Sequence, residues 1–251
     1  MSLRQLFLPV LAGLALGLVA EAALAETVVF PRRPAISPAG DTIVFTAQGD
    51  LWRVDAAGGR AQRLTAHPDY DRDPVFSPDG EWLAFASDRE GSFDVYVMPA
   101  RGGRPERLTF APSTDIPQDW SADGRDVLFA SARPWRYPVR TQIQSVPRDG
   151  GTPTRLIDVF AGEIAVHPDG ERWLLTIGAS RFGRVGYRGT YQSDIWLHAG
   201  DGEPVRLTDG LGYDTDPMWG PADAVYWRGE DDQTGAFNIW RQDADGGDRR
   251  R

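Results

Sequence analysis

The sequence contains no cysteine and no lysine, and only three histidines and three methionines. Without cysteine there can be no disulfide framework and no lipidated N-terminal cysteine. Without lysine, all 27 basic residues are arginine. That bias follows from GC-rich coding as readily as from arginine's capacity for bidentate carboxylate contacts. Positive charge is also short overall: the formal net charge is −9. An acidic chain of this kind is a poor partner for nucleic acid, whose phosphates call for a basic surface.

Nor is there an apolar run long enough to span a bilayer, which takes about 20 residues. The longest, Leu6–Ala20, has 15 residues and carries Pro9, Gly13 and Gly17. It follows Arg4 and precedes the small-x-small triplet Ala23-Leu24-Ala25. This is the layout of a secretory signal peptide, residues 1–25, with cleavage expected after Ala25. The expectation is a periplasmic or secreted protein with no stable membrane anchor.

Catalytic grammar is missing too. There is no G-x-S-x-G elbow. His67, His167 and His198 occupy unrelated positions and form no triad spacing. His67-Pro-Asp69-Tyr-Asp71-Arg-Asp73 alternates carboxylates as a metal loop would. Counting from Asp69, however, the sixth and twelfth positions are Pro74 and Gly80, where a calcium loop needs glycine and glutamate. Its Tyr-Asp-x-Asp-Pro core returns at Tyr213–Pro217, which makes it a recurring connection. Gly183-x-x-Gly186-x-x-Gly189 lacks the strand-to-helix setting of a phosphate loop. No catalytic residue, metal ligand or cofactor site is expected.

What the sequence does have is a repeat. Asp73–Thr109 reads DPVFSPDGEWLAFASDREGSFDVYVMPARGGRPERLT, and its parts recur on both sides. The S-P-x-G element appears at Ser37–Gly40 and Ser77–Gly80, as S-A-D-G at Ser121–Gly124 and, with histidine in place of serine, at His167–Gly170. An Asp/Asn-apolar-aromatic element appears at Asp50–Trp52, Asp94–Tyr96, Asp194–Trp196 and Asn238–Trp240. R-L-T appears at Arg63–Thr65, Arg107–Thr109 and Arg206–Thr208, and as R-L-I at Arg155–Ile157. The step is roughly 40 to 50 residues, a repeat-architecture period.

Within the second repeat, Pro74–Phe76, Trp82–Ser87, Asp94–Met98 and Glu106–Phe110 read as strands separated by tight turns. Four short strands per repeat predict an all-β fold, a β-propeller with about five blades in residues 26–251. Glu26–Phe30 reads as a further strand outside the first repeat. Repeats three and four run over Pro117–Ile157 and Glu163–Thr208, and the fifth starts near Asp216. Gly246–Arg251 lines up with Gly102–Arg107, so the chain is expected to stop partway into a blade, before closure.

An up-and-down blade puts the S-P-x-G and Gly-Gly turns on one face. The long connections lie on the other: Ala66–Asp73, Ser87–Phe93, Phe110–Asp119, Ser131–Arg140, Gly178–Ser193 and Asp209–Asp216. Binding is expected on that second face and at the channel mouth. The S-P-x-G serines serve turn geometry. Trp52, Tyr96, Trp196 and Trp240 are expected to fill space between blades, and Asp50, Asp94, Asp194 and Asn238 to cap turns or bond backbone amides. Two loops stand out for arginine beside aromatics, a pairing that can hold carboxylates or stack on peptide groups. From them the candidate binding residues are Arg133, Trp135, Arg136, Arg140, Arg184, Tyr187 and Arg188.

These repeats resemble the PD40 units of TolB-like six-bladed propellers. Gly186-Tyr187-Arg188-Gly189-Thr190, followed by Asp194-Ile195-Trp196, and the Asp209–Trp219 segment are similar to the N-terminal propeller of tricorn-type serine proteases. That resemblance covers residues 26–251. It implies a parent peptidase of the tail-specific protease type, with a second propeller, a PDZ domain and a peptidase domain beyond Arg251. The catalytic residues would lie there. The partners it implies are peptides or unfolded polypeptide and the downstream protease domains, with homo-oligomerisation compatible. The alternatives are a TolB-like envelope binding protein without a protease, and the propeller of a prolyl-oligopeptidase-type enzyme.

Overall fold

The structure is a computed structural model describing residues 30–133, 141–178, 189, 192–209, 212–231, 233–247 and 249–251. Five antiparallel meanders follow one another along the chain. The first comprises β1 (Arg32–Ile36), β2 (Thr42–Ala47), β3 (Asp50–Asp55) and β4 (Gln62–Arg63). The second is β5 (Asp71–Phe76), β6 (Trp82–Ser87), β7 (Asp94–Pro99) and β8 (Glu106–Arg107). The third holds β9 (Asp115–Trp120), β10 (Asp126–Ser131), β11 (Gln142–Pro147) and the start of β12 (Thr154–Val166). The fourth uses the end of β12 with β13 (Arg172–Ile177), β14 (Asp194–Ala199) and β15 (Val205–Arg206). The fifth has β16 (Asp214–Trp219), β17 (Ala224–Glu230) and β18 (Phe237–Asp243).

The second blade follows its sequence reading closely. Its fourth strand, however, ends at Arg107 rather than Phe110. Of the expected strand Glu26–Phe30 only Phe30 lies within the described residues, and it is a bend. The signal peptide lies outside them.

One difference is larger. The third and fourth repeats are joined by a single strand, so β9 to β15 form one seven-stranded sheet. β12 pairs β11 through Thr154 and Arg155, then pairs β13 through Ile164, Ala165 and Val166. The reason lies in the connecting residues. The first two connections carry Pro68 and Pro112, whereas Thr154–Val166 has no proline and is rich in β-branched and aromatic side chains. Nothing forces the chain to leave the extended state.

The core sits between blades. Val44, Leu51, Phe76, Phe85 and Met98 join the first blade to the second. Trp120, Phe129 and Val146 join the second to the third, and Leu174, Ile195 and Trp227 join the fourth to the fifth. Burying side chains of this size contributes about 1.5–3 kcal/mol each. The innermost strands β1, β5, β9, β12 and β16 pack side by side in that order. Each carries a register irregularity against its neighbour. In three of them a left-handed residue precedes a proline: Arg33 (φ 51°), Asp73 (φ 53°) and Asp216 (φ 54°). Proline has no N–H to offer, so it suits a strand whose free edge faces the channel.

The S-P-x-G serines hold turns. Ser37, Ser77 and Ser121 Oγ accept the backbone N–H of Thr42, Trp82 and Asp126 at 3.0, 2.9 and 2.9 Å. In the fourth blade His167 Nδ1 accepts the Asp169 N–H at 3.1 Å, while Nε2 lies 3.1 Å from Asp223 of the fifth.

Candidate functional site

At the end of the blades where the third strands begin, two ion pairs recur. In the first, an aspartate opening a third strand binds the arginine of R-L-T across the same sheet. Arg107 Nη2 lies 2.7 Å from Asp94 Oδ2 and Arg206 Nη2 2.8 Å from Asp194 Oδ1; Arg63 binds Asp50 in the same way. The threonine completes the latch, Thr65, Thr109 and Thr208 Oγ1 each accepting a third-strand N–H at 3.0 Å. Burial lifts the Asp94 and Asp194 carboxyls above their ordinary pKa despite the arginine beside each.

The sequence reading expected turn capping or amide bonding from these aspartates. Asp50 does accept the His67 N–H at 3.2 Å, but the arginine is the partner that recurs. A signal was present: where R-L-T becomes R-L-I, at Arg155–Ile157, the aspartate becomes Gln142, and Arg155 binds the neighbouring Asp158 at 2.8 Å.

The second recurring pair sits beside the mouth. Arg89 Nη2 lies 2.7 Å from Asp71 Oδ2 and its Nε donates to Ser87 Oγ at 2.9 Å. In the next blade Arg133 binds Asp115, with Ser131 Oγ donating to the same carboxylate at 2.6 Å and the Phe129 ring 5.3 Å from the guanidinium. Arg133 therefore spends its charge on a buried aspartate. The other candidate residues, Trp135, Arg136, Arg140, Arg184, Tyr187 and Arg188, lie outside the described residues.

Toward the axis, the inner strands place Arg33, Asp73, Glu163 and Asp216 together. Arg33 is 3.2 Å from Asp73 and 3.8 Å from Asp216. Arg228 holds Asp216 at 2.7 Å. Glu163 Oε2 accepts the Asp216 N–H and the Thr176 hydroxyl, both at 2.7 Å. Burial, then the Asp216 charge, push the Glu163 carboxyl up. The carboxylates of the His67–Asp73 run disperse: Asp69 lies by His67 at 3.3 Å, Asp71 by Arg89, and Asp73 by Arg33 and Arg72.

Between the first two blades, on the loop-rich face, lies an open cavity of about 650 Å3. It is lined by Phe30 and Arg32, by the β2–β3 turn Thr46–Gly49 and by His67–Tyr70. Gln48 (φ 54°) and Gly49 (φ 87°) make this turn a tight hairpin, and the Asp71 N–H donates to Gly49 O at 2.8 Å to fasten it to the second blade. Sequence reading placed Ala66–Asp73 on this face but singled out neither Arg32 nor the cavity. Three segments distant in the chain build it, and no local pattern marks them.

A family model described as the tricorn protease N-terminal beta propeller domain matches residues 29–251. The chain is 35% identical over 216 residues to tricorn protease homolog 1 of Streptomyces coelicolor, covering 85% of this chain and 20% of that protein. Among solved structures it is similar to the tricorn protease, with a TM-score of 0.76 and 22% identity over 89% of this chain and 22% of that one. It is also similar to a TolB-type protein of Agrobacterium tumefaciens, with a TM-score of 0.71 and 25% identity over 88% of this chain and 79% of that one. The chain thus spans about a fifth of the length of the curated relative it matches.

Proposed function

Because the chain belongs to the family of tricorn protease N-terminal β-propeller domains, we propose that it is the non-catalytic propeller of an exported serine peptidase, where it guides or screens peptide substrates. The observation that carries this reading is the family match along residues 29–251 together with 35% identity to a tricorn protease homolog. The signal-peptide-like layout of residues 1–25 supports export. The row of inner strands packed side by side supports a guiding role, since binding loops are usually displayed on such a scaffold.

The test is hydrolysis of long unfolded peptides by the intact protein, with and without a covalent serine-directed inhibitor. Inhibitable hydrolysis is expected. Arg136→Ala combined with Arg188→Ala should lower kcat/KM for long peptides and leave short ones unaffected. An intact protein that cleaves no peptide overturns the reading. The structural likeness to a TolB-type protein supports a second reading, a periplasmic protein-binding propeller without protease activity. Capture of folded envelope proteins with no peptide hydrolysis would favour it.

A further inference from the structure

The mouth-face arginines of the repeat are spoken for: Arg63, Arg89, Arg107, Arg133 and Arg206 each hold a repeat aspartate. Among the described mouth-face arginines, Arg32 differs. It makes no ion pair among the described residues, it is exposed, and it lines the cavity between the first two blades. Three further features distinguish this cavity. Thr46, 1% exposed, lies in its lining and holds a buried hydroxyl that has no hydrogen-bond partner among the described residues. Buried polar groups are rarely left so. Phe30 and Tyr70 remain 78% and 37% exposed at its sides, an aromatic area uncovered. Asp69, half-exposed at 50% of its side chain and 3.3 Å from His67, adds a negative charge to the same lining that carries Arg32.

We infer that this cavity is a binding site for a short peptide with both termini free. A simple anion would meet Asp69, and a simple cation would meet Arg32. A zwitterion satisfies both: its carboxylate would take the guanidinium of Arg32, its ammonium the Asp69 carboxylate, and an apolar side chain the space between Phe30 and Tyr70. The Gln48 amide would serve the peptide groups between the ends. At about 650 Å3 the cavity has the size of a small-molecule site rather than of a protein interface. The choice of ligand rests on the peptide-handling reading above.

The test is calorimetric titration of the intact protein with the tripeptide Ala-Phe-Ala, its N-acetylated form and its C-amidated form. Each blocked end should weaken binding roughly tenfold, the worth of one charge-assisted contact. Arg32→Gln should remove the sensitivity to amidation and Asp69→Asn the sensitivity to acetylation. Arg32→Lys should retain part of it, and unchanged melting temperatures would exclude misfolding. Equal affinity for free and blocked peptides, binding that ignores both substitutions, or absence of saturable binding overturns the site. Hydrolysis of long peptides in the same preparations separates the two readings. Hydrolysis without tripeptide binding sinks the cavity alone, and tripeptide binding without hydrolysis sinks the peptidase reading alone.

Discussion

Asp119 of the third blade accepts the backbone N–H of Val166, in the fourth, at 2.7 Å, and that of Trp120 at 2.8 Å. A partly buried carboxylate, with no ion-pair partner among the described residues, thus stitches one inner strand to the next. Burial is the main influence on it and pushes its pKa up to about 6, against the pull of the two N–H donors.

This shift makes a prediction about pH. The folded protein holds the Asp119 proton more tightly than the unfolded chain, whose pKa is near 3.8. Stability contributed by this group is therefore present below the unfolded pKa and is lost as pH rises through about 6. Asp119→Asn should flatten the fall in melting temperature between about pH 4 and pH 6.5. The same variant should be less stable by about 1–3 kcal/mol at pH 5, because its NH2 must face one of the two N–H groups. An unaltered pH profile would refute the assignment.

The latch arginines should differ sharply in worth. Arg107 pairs with an aspartate that is fully buried, whereas Arg155 and Asp158 are both exposed. Arg107→Ala strands a buried carboxylate and should cost about 3–5 kcal/mol. Arg155→Ala should cost no more than about 1 kcal/mol. Urea titrations of the two variants give the comparison, and similar midpoints would contradict the latch.

Gly229 is fixed by space. A Cβ there would lie 2.5 Å from Asp214 Oδ1, 2.7 Å from the Trp240 ring and 2.8 Å from Trp227 Nε1. Gly229→Ala should therefore disturb the Trp227–Asp214 hydrogen bond of 3.0 Å and destabilise the fifth blade by about 1–3 kcal/mol. A shifted tryptophan emission should accompany a lower melting temperature. Wild-type values for both would show that the site has room.

What could be read from the sequence was what is local. The strand Trp82–Ser87 is legible because its apolar run is bounded by the Ser77–Gly80 turn on one side and charged residues on the other. The propeller follows from repetition of such units. Pairings between strands were hidden, since nothing near Arg133 says that Asp115 will lie against it once β9 and β10 pair. The same holds for the cavity, where Arg32, Thr46 and Asp69 come together only through the pairing of β1 with β2 and the fastening of Asp71 to Gly49.

The strand β12 changes what should count as a folding unit. Blades in a propeller are ordinarily separable by a flexible link, but here the outer edge of the third and the inner edge of the fourth are one backbone. Neither can open by itself without bending that strand, so amide exchange in β9 to β15 should report one foldon rather than two. The joints left for breathing motions lie elsewhere, at the proline-bearing links that end in Asp71 and Asp115. A molecule assembled from equal repeats would in this way melt in unequal pieces.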